Sequence, residues 1–252
     1  MDRASMSDPE IPRNGAFRVV VTSIGTAGGA LMERLSRALP LTAEGLAARV
    51  LRAPSELLGD LSRETAEAIA ALLRQAGLET SILAREETFQ AGDGDLEVAL
   101  APTDLTRLPE VVAEIVRFLG CDRARAEKVL GATPAILISG VSAATVAALR
   151  RRFEPLSVEL VVSRPQEASY DVYVRAADAD ALRRLRRLLG SRCASAAGDP
   201  RSPVASGISY GEARALWRDA ERYRVPLRIL NRDFLPHASG IADAATLGGT
   251  SR

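Results

Sequence analysis

Val50-Leu51-Arg52-Ala53-Pro54-Ser55-Glu56-Leu57 is answered further along the chain by Leu130-Gly131-Ala132-Thr133-Pro134-Ala135-Ile136-Leu137. The correspondence runs on without a gap. Leu61-Ser62 meets Val141-Ser142, Thr65 meets Thr145, Ala68 meets Ala148, Glu79 meets Glu159 and Ile82 meets Val162, always at an offset of 80 (134 − 54). A constant offset through a helix and the strand after it marks a duplicated structural unit. The chain therefore reads as an array of small modules rather than one catalytic core.

Working outward from Pro54, Phe17 to Thr22 is apolar and β-branched, the pattern of a buried strand. Gly25, Gly28 and Gly29 turn the chain into a helix from about Ala30, striped by Leu31, Leu35 and Leu39 and stopped by Pro40. Thr42 can cap a second helix through Val50, and Ser62 a third, with Ala66, Ile69, Leu72 and Leu73 inward. Gly77 supplies a left-handed end to that helix and Leu78 to Leu83 returns as a strand. The expected order is strand, helix, helix, helix, strand, with a short strand near Leu57. Polar Ala84 to Asp95 reads as a linker.

The second copy opens at Leu96 to Leu100. Val112, Ile115, Val116 and Leu119 stripe its first helix, Gly120 ends it, Asp122 and Ser142 cap the next two, and Leu156 to Val162 closes the unit. After a linker at Ser163 to Ser169, a weaker third copy runs from the alternating strand Tyr170 to Val174 through a Leu182, Leu185, Leu189 helix to Ile208-Ser209. Its last helix carries Ala213, Leu216 and Ala220, and its closing strand is Val225 to Leu230. The Ser-, Ala-, Gly- and Pro-rich stretch from Ser191 to Ser206 weakens its second helix. The organisation is a flexible lead (1–15), modules at 16–84, 95–164 and 168–232, and a disordered tail (233–252). Units of this size fold alone but marginally, so packing between neighbours is expected to matter.

Across 252 residues, 47% hydrophobic and 26% charged is globular composition, and a net charge of +1 leaves no global field for nucleic acid or an anionic membrane. No stretch approaches the roughly 18 apolar residues that span a bilayer, and no apolar segment follows Met1 as a secretory signal would. Cys121 and Cys193 make no CxxC, which fits a reducing cytoplasm. The single histidine, His237, stands in the tail, which argues against a histidine metal cluster or a Ser-His-Asp triad. Lys128 is the only lysine, so the arginine content tracks a GC-rich bacterial genome as readily as a function.

The run Val50-x-x-Ala53-Pro54-x-x-Leu57, Leu61-Ser62-Arg63, Ala66-Glu67-Ala68-Ile69 and Leu73-x-x-Ala76-Gly77-x-Glu79 resembles the C-terminal domain of the bacterial ribosomal stalk protein. Phe118-Leu119-Gly120-Cys121-Asp122-Arg123-Ala124-Arg125-Ala126 resembles the Clp protease adaptor family, which shares that fold. The third unit joins the resemblance only through the internal repeat. The resemblance implies an α+β fold class: three tandem modules, each a three-stranded antiparallel sheet covered by about three helices. It also implies a role without chemistry, the recruitment of a partner such as a translational GTPase. Where the stalk family opens its second helix with a basic Gly-Leu-Lys, this chain has Thr42-Ala43-Glu44 and, in the second unit, Asp122-Arg123-Ala124. The charge reversal and the absence of the stalk's dimerisation region set it apart from stalk proteins themselves.

The expected function is a non-catalytic, cytoplasmic adaptor or scaffold that binds a protein, with a nucleotide-switching GTPase or ATPase as the candidate partner. No catalytic residue, cofactor or metal is assigned. The candidate contacts are Glu44 and Arg49 on one second helix, Arg123 and Arg125 on the other, and Arg183, Arg184, Arg187 and Trp217 in the third unit. The arginines at 175, 183, 184, 186 and 187 offer an alternative, a face for phosphate or nucleic acid. Three features carry a plainer expectation. Gly25 to Gly29 reads as a tight turn rather than a phosphate cradle, Arg150-Arg151-Arg152 as cations complementing a helix end, and Trp217, Tyr210 and Tyr223 as core filling. Asp93 and Asp95 around Gly94 share the opening of a calcium loop, but the ligand series stops there and the stretch reads as linker.

Overall fold

The structure, a computed structural model, describes residues 15–174, 183, 187, 190 and 202–235. Three separate three-stranded sheets alternate with helices, and the chain is a mixed α/β array of three small repeats. Compactness partitions it differently. One unit comprises Met1–Gly94, Pro102–Leu130 and Leu137–Glu159; the other comprises Asp95–Ala101, Gly131–Ile136 and Leu160–Arg252. The first unit thus holds the whole first repeat and the helices of the second.

The first repeat runs β1 (Phe17–Ser23), α1 (Gly29–Ser36), α2 (Ala43–Leu51), β2 (Ser55–Leu61), α3 (Arg63–Gln75) and β3 (Glu79–Ala84), with sheet order β2-β1-β3. Both pairings are antiparallel, with Val20 opposite Glu56 on one side and Ser81 on the other. The short strand expected near Leu57 is a full member of the sheet. Thr42 and Ser62 cap α2 and α3 by accepting from the N–H groups of Gly45 and Thr65. Gly77 is left-handed, at φ 88°, and turns the chain into β3.

Two details differ from the sequence reading. Helix α1 ends at Ser36, before Leu39 and well before Pro40, because the chain turns there and buries Leu39 from outside the helix. Leu72 does not point inward: it is 38% exposed, while Ala66, Ile69, Ala70 and Leu73 form the buried stripe of α3.

The second repeat runs β4 (Leu96–Pro102), α4 (Leu108–Leu119), α5 (Arg123–Leu130), β5 (Ala135–Val141), α6 (Ala143–Phe153) and β6 (Val158–Ser163), with strand order β5-β4-β6. Gly120 closes α4 in the left-handed region (φ 67°), Asp122 accepts from the Arg125 N–H at 2.7 Å, and Ser142 caps α6. The Ala53–Pro54 and Thr133–Pro134 peptides are both cis.

Within the first unit, β1 is covered on both faces. Val19, Val20 and Val21 are consecutive, so they alternate between faces, and each is at most 1% exposed. Helices α2 and α3 of its own repeat lie against it, and so does α6 of the second. Helix α6 is anchored at both ends. At its start the Ser142 N–H donates to the Leu51 carbonyl at 3.1 Å, the Ser142 hydroxyl donates to the Ala53 carbonyl, and the Thr145 hydroxyl donates to the Leu51 carbonyl at 2.9 Å. At its end Arg152 donates to the Ala27 carbonyl at 2.7 Å and pairs with Glu114 at 2.8 Å, while Arg151 reaches Glu79 at 3.3 Å. The residues between β3 and β4 are not a loose linker. Arg85 N–H donates to Ala16 and Gly92 N–H to Pro54, so the segment is pinned at both ends.

In the second unit the third repeat builds β7 (Ser169–Val174), β8 (Ala205–Ser209), α7 (Tyr210–Arg222) and β9 (Leu227–Asn231), with sheet order β8-β7-β9 and antiparallel pairing. Tyr170, Val172, Ile208, Ala213, Leu216 and Leu227 are among its core residues. Ser209 and Glu212 form a reciprocal capping box at the start of α7. Several expectations fall outside the described residues: the lead through residue 14, Arg175, Leu182, Arg184, Leu185, Arg186, Leu189, the stretch 191–201 with Cys193, and the tail from 236 with His237.

Candidate functional site

The glycine turn before α1 does more than the sequence reading assigns to it. A Cβ on Gly28 would sit 2.4 Å from the Arg117 carbonyl oxygen, and one on Gly29 would sit 2.4 Å from the Leu119 carbonyl. The two glycines let the end of α4 lie directly on the start of α1. The turn is tight, as expected, but its glycines serve the joint between two repeats. That explains why the other repeats lack them, and the packed α4 terminus occupies the place a phosphate would need.

Arg152 is the second correction. Its side chain is 9% exposed and Glu114 is 8% exposed. Its guanidinium lies 5.2 Å from the Phe118 ring centroid and bridges Glu114 to the Ala27 carbonyl. A cation placed only to complement the helix dipole would be solvated; this one is a buried cross-link. Beside it, Ile24, Met32, Val50, Phe118, Leu119 and Ile138 line an apolar cavity of about 130 Å³.

The candidate contacts on the second helices stand on separate elements of this unit. Glu44 is exposed in the first turn of α2. Arg49 is exposed too, but its guanidinium donates to the backbone carbonyls of Glu56 and Leu57 at 3.2 and 2.8 Å, tying α2 to β2. Arg123 pairs with Glu127 at 2.7 Å along α5, and Arg125 is exposed. In the third repeat Arg183 and Arg187 are helical and exposed, one turn apart; Arg184 is not among the described residues.

Trp217 is not core. It is 46% exposed and Tyr223 is 44% exposed, whereas Tyr210 packs partly inward with its ring centroid 6.1 Å from that of Tyr170. The buried stripe of α7 is Ala213, Leu216 and Ala220. Trp217 follows Leu216 and is carried outward by the 100° step of the helix. After α7 the chain reverses at Arg224, which is left-handed at φ 52°. The reversal sets Val225, Pro226 and Leu227 beside Trp217 and Ala220, and a cleft of about 280 Å³ lies between them, with Glu221 and Arg224 at its wall. The sequence carries a signal for this exposure: Trp217 is flanked by Arg214, Arg218 and Glu221 on the polar side of the helix wheel.

Burial pushes the Tyr170 hydroxyl up to about 12, with Glu97, Tyr210 and Asp233 acting in the same direction. Its hydroxyl donates to the Pro165 carbonyl at 2.9 Å. Asp95, one of the two aspartates around Gly94, pairs with Arg164 at 2.9 Å. Among the described residues no group of three His, Cys, Asp or Glu side chains is placed to hold a metal ion, and no helix is long and apolar enough to cross a membrane. No family model, curated protein or solved structure matches the chain.

Proposed function

We propose that this chain is a non-catalytic protein-binding adaptor or scaffold built from tandem stalk-like modules. In this reading it works in the cytoplasm and recruits or regulates a nucleotide-switching GTPase or ATPase within a larger assembly. The observation that carries the reading is the exposed Trp217. The described core of its repeat does not include it, and a half-exposed tryptophan beside a cleft is the kind of anchor that dominates protein interfaces. The internal repeat supports the reading as well, since a duplicated small fold multiplies presentation surfaces. Glu44 and Arg125, exposed on the second helices, are further contact candidates.

A second reading, phosphate or nucleic-acid binding, is favoured by one observation, the exposure of Arg183 and Arg187 one helical turn apart. Capture from the native host with the full chain separates the two. The adaptor reading expects a nucleotide-binding protein retained after nuclease treatment. Retention of nucleic acid alone, lost at moderate salt, contradicts it.

A further inference from the structure

The exposed side of α7 combines two chemistries. Arg214, Arg218 and Arg222 recur every fourth residue, Trp217 stands among them, and Arg224 follows the helix end; all are exposed. Arg214 lies 5.7 Å from the Tyr210 ring centroid and Arg222 5.6 Å from that of Tyr223, and Arg218 and Arg224 have no ion pair among the described residues. On the side of the helix that carries Trp217, Arg214 and Arg218 stand with one exposed acid, Glu221, while Arg222 and Asp219 lie further round. Beside them the cleft has an apolar floor formed by Ala220, Val225 and Leu227.

We propose, building on the adaptor reading, that the face formed by Arg214, Trp217, Arg218 and the adjoining cleft docks an acidic peptide segment of a partner protein that carries one large apolar side chain. The apolar side chain packs against Trp217 and enters the cleft, and the flanking carboxylates pair with the arginines. Charge complementarity sets the sign of the partner. The cleft sets its class: a floor of Ala220, Val225 and Leu227 beside Trp217 suits a hydrophobic side chain.

Trp217 is the only tryptophan in the chain, so its emission reports on this face and no other. The test is a titration of the intact chain, at low salt, with a synthetic peptide of aspartate and glutamate residues around one phenylalanine. A matched peptide with serine in place of phenylalanine and an oligothymidylate serve as comparisons. The expected result is a saturable blue shift with the phenylalanine peptide, at least ~10-fold weaker binding of the serine peptide, and at least ~10-fold weaker binding by the Arg214→Glu/Arg218→Glu variant, since one tenfold step is a modest fraction of an anchor's contribution. No blue shift, equal binding of both peptides, or tighter binding of oligothymidylate overturns the proposal. The peptide pair decides the matter even if the variant does not fold. A native partner captured equally by the wild type and the variant rejects this face but keeps the adaptor reading; failure to capture any protein rejects the adaptor reading itself.

Discussion

Ser62 and Ser142 occupy the same place in two copies of one pattern, and so do Thr65 and Thr145. In the first repeat the pair only caps its own helix: the Ser62 hydroxyl accepts from the Thr65 N–H at 3.1 Å and the serine is exposed. In the second repeat Ser142 is 2% and Thr145 0% exposed, and both hydroxyls donate to carbonyls of the first repeat, at Ala53 and Leu51. The last turn of each helix inverts expectation further. Leu72 is 38% exposed, and its counterpart 80 residues on is Arg152, whose side chain is 9% exposed. Duplication copied the fold, and assembly then reassigned its positions. An apolar residue in one copy faces water while a cation in the other is buried against its neighbour.

The comparison can be broken most forcefully at its last pair. Arg152→Ala removes the bridge to Ala27 and leaves Glu114 with the exposed Arg117 alone, so urea unfolding should show a loss of about 2–3 kcal/mol, against less than about 1 kcal/mol for Leu72→Ala. Equal losses would mean the two positions are interchangeable. Gly29→Ala drives a Cβ into the Leu119 carbonyl and should cost about 2 kcal/mol by the same measurement, through separation of α1 from α4. At the helix starts, Ser62→Ala should cost about 1 kcal/mol, the worth of a cap, and Ser142→Ala about 2 kcal/mol because it also strands the Ala53 carbonyl.

The smallest effect at ordinary pH belongs to the other unit. Tyr170 has its hydroxyl pushed up to about 12, above the roughly 10 expected of an unfolded chain. Below pH ~10 both states hold the proton and nothing changes. Between about 10 and 12 the unfolded chain releases it and the native chain does not, so stability falls with rising pH. Tyr170→Phe should flatten that fall as followed by near-ultraviolet circular dichroism, and an unchanged profile would place the alkaline sensitivity elsewhere.

The parts of the fold written locally are legible in sequence. Caps at Thr42, Ser62, Asp122 and Ser142, the left-handed stops at Gly77 and Gly120, and the buried strand at Val19–Val21 are each decided by a few neighbouring residues. The joint is not legible. Gly28 and Gly29 satisfy a turn as well as a close contact, and Arg152 in a row of arginines looks solvated until Glu114 and Ala27 are brought to it. Periodicity reports which face of an element is apolar; it does not report which polar residues a second repeat will bury. Trp217 is named from sequence as a candidate contact, yet its expected place in the core is wrong for a different reason. Residue type sends an aromatic in a helix to the core, although its neighbours Arg214 and Arg218 place it on the solvent side.

The account rests on the helices of the second repeat and the sheet of the first forming one cooperative unit. Native-state hydrogen exchange on the intact Arg152→Ala chain tests this most directly, by comparing amides of β1 at Val19–Val21 with amides of α6. The account predicts that protection falls by the same factor in both elements. Loss of protection in α6 with β1 unchanged from the wild type would contradict it.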